Sequence, residues 1–447
     1  MLRYNLLFLI GYLIVSSNSV HAESTGVSAR IAAILLDDCQ ACHGAKKAEG
    51  GYRVDTFQSA IAGGDSGSGF VAGDLDQSEA FRRVISDDES ERMPLDRQPL
   101  SKSKVGLLKE WIEGGAKLDG SNPEQPISTI VATNRQPIAP VTYQFPVPIT
   151  SLIFSHDGRR LYVGGYHEIT VWNTATGKLV QRISNASQRT MGMALSADDN
   201  TLVTAGGVPG KYGAIRFFDR KSGRLEKVVG AVGDLIHDVD ISPDGKRFVA
   251  VDAESRLQVF DFDGTSPQLS LASHSDWVTA VSWSPDGSKI VTSSRDKTCK
   301  VIDVKNGDLL ASYTGHGKPV RDVLFHSNGA EVLSAGADNK VHRWKVADSK
   351  KTSDWTFADD VYRVVRHEQT LFATSADKTV RQYDLAAKKE IRQFKGHIDR
   401  PISLSHHAET NRIATGTIKG EIRIWNTSDG SLVVRFFAAP GFAMAEN

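Results

Sequence analysis

Hydrophobic and polar positions divide the 447-residue chain into three regions with different periods. An apolar run fills most of positions 6–15. Between about residues 27 and 116, apolar residues recur at the three- and four-residue spacing of amphipathic helices. From about residue 141 apolar and polar residues alternate, which is typical of strands. The pattern predicts a short leader, a small all-α domain and a long all-β domain.

Two helices of the all-α domain can be outlined from their spacing. Their apolar positions are Ile31, Ile34 and Leu35 in the first helix and Val105, Leu108 and Ile112 in the second. Ser101 is placed to cap the second helix, which we expect to end at Gly114-Gly115. Trp111 lies on this helix, and we expect it to be a packing residue of the core.

The β region is a repeat array. An apolar or aromatic residue followed by a polar one recurs seven times, at Trp172-Asn173, Phe218-Asp219, Phe260-Asp261, Ile302-Asp303, Trp344-Lys345, Tyr383-Asp384 and Trp425-Asn426. The first members lie 46, 42, 42, 42, 39 and 42 residues apart, and residues 208–213 read as a loop insertion in the longest interval. Four repeats carry a turn tetrapeptide, SHDG, SPDG, SPDG or HSNG. The array resembles WD40 repeats, which implies a closed seven-bladed β-propeller over 141–437, with 438–447 as a tail. An open solenoid is the alternative.

The amino terminus has the three-part pattern of a secretory signal. Arg3 precedes the apolar run, and Val20-His21-Ala22 offers small residues for cleavage after Ala22. The run is shorter than the ~20 residues of a membrane-spanning helix, and no later segment approaches that length. We therefore predict a signal peptide at 1–22 and an exported, periplasmic protein without an integral span once the signal is removed. An uncleaved anchor helix is the alternative.

Composition narrows the function classes. Basic and acidic residues balance at 53 each, which argues against a nucleic-acid partner, and three cysteines are too few for a disulfide scaffold. By region, 23–125 carries a net charge of −6 and 126–447 of +5. Opposite charges favour docking of the two domains or steering of a basic partner, although solvated surface charge explains them equally well. The segment 121–140 between the domains contains several prolines and is expected to be an extended linker.

One motif carries chemistry. Cys39-Gln40-Ala41-Cys42-His43 is the C-x-x-C-H signature of c-type haem attachment. Two thiols one helical turn apart can each form a thioether with a haem vinyl group, and the adjacent imidazole then faces the iron. A thioredoxin-like pair leaves His43 unexplained, and a zinc site requires a second Cys or His pair that residues 44–120 lack. The motif predicts one covalent haem c.

Met93 is the candidate for the second axial ligand. Between Glu23 and Gln125 the sequence holds one histidine, His43, and one methionine, Met93. Pro94 restricts the backbone around Met93, which suits a thioether held over a metal by a stiff loop. A thioether ligand raises the reduction potential, as electron-transfer sites require. A lysine ligand and an open iron site remain alternatives.

Residues 39–116 resemble the planctomycete-type cytochrome c domain family. The matching segments are CHGAKKAEGG, VDTFQSAIAGGDSG, DQSEAFRRV, ERMPLDRQPLS and LLKEWIEGGA, in this order. The resemblance implies a cytochrome c domain at 23–120, in which the histidine of CHG and the methionine of R-M-P are the axial ligands. These residues are His43 and Met93. The chain reads MPLDRQPL where family members often have a second proline after MP.

Several residues of the propeller have structural explanations. His274, His316 and His397 stand where WD40 repeats place a histidine that bonds a turn aspartate, such as Asp296, Asp338 or Asp377. We expect Cys299 to be a small buried hydrophobe and His406-His407 to be polar surface residues.

The sequence favours an electron carrier over a catalyst. On this hypothesis the propeller is a docking platform or scaffold for a redox partner protein. In the alternative hypothesis, an oxidoreductase, the propeller binds a substrate or second cofactor and passes electrons to the haem. In a third, Met93 dissociates and the protein acts as a peroxidase or gas sensor.

Overall fold

The computed structural model describes residues 26–45, 47–120, 122–133 and 136–442. The predicted signal peptide at 1–22 and the last five residues of the predicted tail lie outside this part of the chain. Across the described residues, no helix combines the length and apolar character needed to cross a membrane.

The amino-terminal region consists mainly of short helices joined by irregular segments. The helices are α1 (Val27–Ile34), α2 (Gln40–His43), α3 (Phe57–Ala62), α4 (Glu79–Val84), α5 (Lys102–Glu113) and α6 (Ile127–Thr133). A π-helical turn (Leu35–Cys39) joins α1 to α2, and strand β1 (Lys47–Ala48) and a 3₁₀ turn (Glu49–Gly51) follow α2. The two outlined helices are confirmed: Ile31, Ile34 and Leu35 are buried, and Ser101 Oγ accepts the Lys104 N–H at 3.4 Å. Because a strand is also present, the all-α class stays a prediction.

The seven-bladed propeller is confirmed. Seven four-stranded antiparallel sheets each contain four consecutive strands. Blade 1 comprises β2 (Leu152–Phe154), β3 (Arg160–Gly164), β4 (Ile169–Asn173) and β5 (Leu179–Ile183). Blade 2 comprises β6 (Arg189–Leu195), β7 (Thr201–Val208), β8 (Tyr212–Asp219) and β9 (Leu225–Val232). Blade 3 comprises β10 (Ile236–Ile241), β11 (Arg247–Asp252), β12 (Arg256–Asp261) and β13 (Pro267–Ala272). Blade 4 comprises β14 (Val278–Trp283), β15 (Lys289–Ser294), β16 (Cys299–Asp303) and β17 (Leu309–Tyr313). Blade 5 comprises β18 (Val320–Phe325), β19 (Glu331–Gly336), β20 (Lys340–Lys345) and β21 (Lys351–Thr356). Blade 6 comprises β22 (Val361–His367), β23 (Thr370–Ser375), β24 (Val380–Asp384) and β25 (Lys389–Phe394). Blade 7 comprises β26 (Pro401–His407), β27 (Arg412–Thr417), β28 (Glu421–Asn426) and β29 (Leu432–Phe437).

Blade 7 meets blade 1 through side chains, without exchanging a strand. Ser403 Oγ donates to Ile149 O at 2.7 Å, and residues of both blades share one hydrophobic cluster. Residues 142–145 form no strand, but Tyr143 N donates to Pro440 O at 2.9 Å. The first residues of the predicted tail, Ala438 and Ala439, are therefore packed against the propeller and buried.

The turn tetrapeptides form hairpins, as predicted, and these hairpins join the first and second strands of their blades. In the first of them Gly158 has φ +66° and its N–H donates to Ser155 O at 2.9 Å. The glycines of the other three, Gly245, Gly287 and Gly329, have φ between +63° and +69°. Glycine adopts this left-handed conformation without the Cβ clash of other residues, which explains its recurrence.

The predicted histidine–aspartate pairs form in two of the three blades. His274 Nδ1 lies 2.8 Å from Asp296 Oδ2, and His316 Nδ1 lies 3.0 Å from Asp338 Oδ2. The pairing of His397 with an aspartate is wrong, because its Nδ1 contacts Lys378 O at 3.1 Å. In both formed pairs the aspartate follows the histidine by 22 residues, and the corresponding position after His397 is Lys419.

Two further expectations for the propeller have different outcomes. Cys299 is fully buried in a hydrophobic cluster, as predicted. His407 is not a surface residue: it is buried, its Nε2 contacts His156 O at 2.8 Å and its Nδ1 contacts Thr410 Oγ1 at 2.9 Å. The polar side chain is thus used to join blade 7 to blade 1.

Candidate functional site

The C-x-x-C-H motif begins at the end of the π-helical turn and continues through α2. The thiols of Cys39 and Cys42 are both free and half-buried. Gly44 follows the motif, and a Cβ at that position would lie 2.7 Å from Gln40 O. Glycine is therefore required for the chain to turn directly after His43.

The ring of His43 is oriented by the backbone that follows it. Nδ1 lies 3.1 Å from Glu49 O, and because a carbonyl oxygen accepts only, Nδ1 carries the proton. Nε2 is then the nitrogen whose lone pair is free for a metal. His43 O also accepts the Val54 N–H at 2.7 Å, and the Tyr52 ring lies 5.2 Å from the imidazole, centre to centre.

Met93 reaches the same site from a different segment of the chain. Its N–H donates to Arg83 O at 3.0 Å, near the end of α4, so the loop is attached to a helix although Met93 itself lies outside one. Met93 and His43 both line two adjoining clefts, and Cys39 lines both as well. Cys42 lines the smaller cleft. The fold thus brings together all four residues that the sequence singled out.

The larger cleft has a volume of about 260 Å³ and is mostly apolar. Its apolar wall is formed by Leu35, Val54, Phe70, Val84 and Leu108. Arg83 also lines this cleft, and its Nε donates to Glu79 Oε1 at 2.7 Å. Together the two clefts present an apolar wall, two thiols, an imidazole with a free nitrogen and a thioether, which is a donor set that fits a covalently held haem.

Electrostatics argue against a thioredoxin-like use of the two cysteines. Burial raises the pKa of the Cys39 thiol to about 12, and the Asp38 carboxylate adds to the shift while Lys104 opposes it. Redox-active C-x-x-C pairs have the opposite property, a lowered thiol pKa that favours the thiolate.

Trp111 packs in the core beneath the site and is not among the residues that line the two clefts. Its Nε1 donates to Lys117 O at 3.0 Å, and its ring meets the Phe70 ring edge-on at 5.4 Å. The expectation of a packing role is confirmed.

The segment between the domains differs from the predicted extended linker. Residues 127–133 form α6, whose Ile127 and Ile130 are buried in the same hydrophobic cluster as the helices of the motif. Tyr212 and Ala214 of blade 2 belong to this cluster too. The prolines indicated extension, but the apolar residues of α6 have a core to pack against, and such tertiary contacts decide the conformation.

The insertion in blade 2 is part of the same contact. Residues 208–213 extend β7 and β8 into a longer hairpin, and Lys211 Nζ pairs with the carboxylate of Asp37, two residues before Cys39. Tyr212 OH donates to Gln136 Oε1 at 2.7 Å, and the buried Arg216 donates to Ala132 O of α6. The sequence predicts a loop at this insertion, and the added length of the interval is the one signal it gives of the longer hairpin.

These features define a small, mainly helical domain with an apolar cleft lined by Cys39, His43 and Met93, packed against a β-propeller. Residues 39–96 match the family model described as planctomycete cytochrome C. Residues 265–303, 307–345 and 388–426 match the model described as WD domain, G-beta repeat. The chain therefore joins a domain of the planctomycete cytochrome c family to a WD40 propeller.

Curated relatives match over a short part of the chain. Apoptotic protease-activating factor 1 of Homo sapiens is 29% identical over 99 residues, and the protein of the same name from Rattus norvegicus is 31% identical over 99 residues. Each match covers 22% of this chain and 8% of the relative. The chain thus spans less than a tenth of those proteins.

Proposed function

We propose that the protein is an exported c-type cytochrome that carries electrons and uses its WD40 propeller to dock a redox partner protein. The observation that supports this most directly is the convergence of Cys39, His43 and Met93 on one apolar cleft within a cytochrome c family domain. When bound, haem c supplies an iron that alternates between two oxidation states.

Each residue of the cleft then has one task. Cys39 and Cys42 would form the thioether bonds that retain the cofactor in both oxidation states. His43 offers Nε2 because its Nδ1 is held by Glu49 O. Met93 offers a thioether on a loop attached to Arg83, and the apolar wall excludes water, which together favour the reduced state.

The propeller is a platform in this proposal. Its sheets close into a ring, and its turns stand at two faces as a rigid display surface. The contact between α6, Asp37 and the blade 2 hairpin fixes the cytochrome domain to that platform. Export rests on the signal pattern at 1–22 and on the fact that haem c is attached outside the cytoplasm.

The three cysteines of the chain provide a matched test of haem attachment. The full chain is produced in the periplasm of a host that matures haem c, as wild type, Cys39→Ser/Cys42→Ser and Cys299→Ser. Haem staining of denaturing gels and intact mass should show one covalent haem in the wild type and in Cys299→Ser, and none in the double variant.

Cys299 is the control because it is fully buried in the propeller, away from the motif. Haem that stays covalently bound in the double variant contradicts the proposal, as does a wild-type chain without haem in a host that matures a reference cytochrome c.

A further inference from the structure

A cavity of about 390 Å³ opens at the edge of the central channel, between blades 6, 7, 1 and 2. Its lining includes Met193, Arg366, His367, Ser405 and His406. No carboxylate of the described residues lines it. The guanidinium of Arg366 is engaged by backbone carbonyls, since Nε donates to Phe325 O at 3.2 Å and Nη1 to Glu368 O at 2.9 Å.

Two imidazoles face each other in this cavity. The ring centres of His367 and His406 are 5.4 Å apart, with 41° between the ring planes. The ring of His406 is stacked on Phe372 at 4.9 Å, which limits its movement, whereas His367 is exposed. Within the described residues, neither ring makes a hydrogen bond or an ion pair, so their nitrogens have no structural partner.

The adjacent His407 differs from His406 in the partners of its ring. Successive residues of a strand point to opposite sides, and both nitrogens of His407 are occupied, by His156 O and Thr410 Oγ1. His406 therefore lines the cavity, while His407 joins two blades.

The spacing of the two rings suits a shared metal ion. Imidazoles that bind one ion at nitrogen–metal distances of about 2.0–2.1 Å have ring centres roughly 5 Å apart. The absence of carboxylates among the lining residues disfavours hard ions such as Ca²⁺ and Mg²⁺. The cavity offers imidazole nitrogens and the thioether of Met193, and this donor set suits copper. Cu²⁺ also has the highest affinity for such sites among the divalent ions of the first transition row.

We propose that His367 and His406 form a copper site at the edge of the propeller channel. The site lies at the ends of the first strands of blades 6 and 7, where these strands turn into the second strands. The hairpin that contacts the cytochrome domain joins the second and third strands of blade 2. In an antiparallel blade these turns lie at opposite ends, so the proposed site is on the propeller face away from the cytochrome domain.

The test uses the untagged, haem-loaded full chain and Cu²⁺ alone as the probe. Equilibrium dialysis should give one tightly bound Cu²⁺ per chain, and its electron paramagnetic resonance spectrum should show splitting from two nitrogens. His367→Ala and His406→Gln should each weaken Cu²⁺ binding by at least about ten-fold. Once one imidazole holds the ion, the second imidazole binds it intramolecularly, and each variant loses this gain in affinity.

The control is His156→Ala, which removes a half-exposed imidazole at the corresponding turn of blade 1. It should leave the stoichiometry and the spectrum unchanged. Because His367 is exposed, its replacement does not disturb a packed core, and circular dichroism verifies the fold of the His406 variant. Binding that survives in both channel variants, or that falls equally in His156→Ala, overturns the proposal.

Discussion

At the scale of single residues, the partners of each ring nitrogen separate the histidines into roles. His43 has one nitrogen bound to a backbone carbonyl, which leaves the other for a metal. His316 has both nitrogens engaged, by Asp338 and by Ser334 Oγ at 2.8 Å. The ligand atoms of His316, Asp338 and His342 lie within 4.8 Å of one another, but His316 and Asp338 bond each other and His342 Nδ1 lies 2.8 Å from the Tyr313 hydroxyl of blade 4.

Removal of the Asp338 carboxylate should therefore destabilise the propeller. In Asp338→Ala, His316 Nδ1 and the Gly317 N–H, which donates to Asp338 Oδ2 at 3.1 Å, lose their acceptor. A buried donor without a partner costs about 1–3 kcal/mol, and we expect this loss in the free energy of unfolding measured with urea. Lys419→Ala, at the corresponding exposed position of blade 7, is the control and should change stability by less than about 0.5 kcal/mol. Equal effects of the two substitutions would contradict the role assigned to Asp338.

At the scale of elements, the first strands of the blades surround the central channel and bring charged residues together. Arg363 Nη1 of β22 lies 3.4 Å from Asp322 Oδ1 of β18 and 3.7 Å from Asp238 Oδ2 of β10. Burial raises the pKa of Asp238 to about 7; Arg363 opposes this shift and Asp322 adds to it. One guanidinium thus compensates two buried carboxylates incompletely.

The stability of these strands should depend on pH near neutrality. A carboxyl group whose pKa is higher in the folded chain than in the unfolded chain stabilises the fold at low pH, and this contribution is lost as pH rises through about 7. Asp238→Asn removes the titration, so the stability of the variant relative to wild type should rise by about 3 kcal/mol between pH 5 and pH 8.

Urea unfolding at the two pH values measures this difference. Asp348→Asn changes the net charge equally at an exposed turn and should show no such rise. A relative stability of Asp238→Asn that is constant or falls with pH would show that the carboxylate is well compensated when ionised.

The elements themselves were predictable to different degrees. The repeat period and the D-G and N-G turns predicted seven blades, because both are local features of the chain. The helix α6 and the hairpin around Lys211 were not predicted, since each is stabilised by residues distant in sequence. At the site, spacing singled out Cys39, Cys42 and His43, whereas the hydrogen bond from His43 Nδ1 to Glu49 O required the three-dimensional structure.

At the scale of the whole molecule, the cytochrome domain and the propeller share one hydrophobic cluster. The opposite net charges of the two regions left internal docking and partner steering open. The structure shows internal docking, which combines apolar packing, the hydrogen bond of the buried Arg216 and the Asp37–Lys211 ion pair. Because the contact lies beside the C-x-x-C-H motif, the propeller holds the candidate haem site in a fixed orientation toward any partner it binds.

In the proposed electron carrier, His43 and Met93 would hold the iron of a single haem c. Visible spectra of the oxidised, reduced and pyridine-treated full chain, with and without carbon monoxide, measure this ligation. Met93→Ala is the test variant and Met191→Ala, in the propeller channel, is the control.

We expect one haem c per chain and a far-red methionine–iron band that is lost in Met93→Ala and kept in Met191→Ala. Carbon monoxide should bind to Met93→Ala and not to the wild type. More than one haem per chain, a band that persists in Met93→Ala, or a high-spin wild-type iron that binds carbon monoxide readily would rule out a carrier with a single haem held by His43 and Met93.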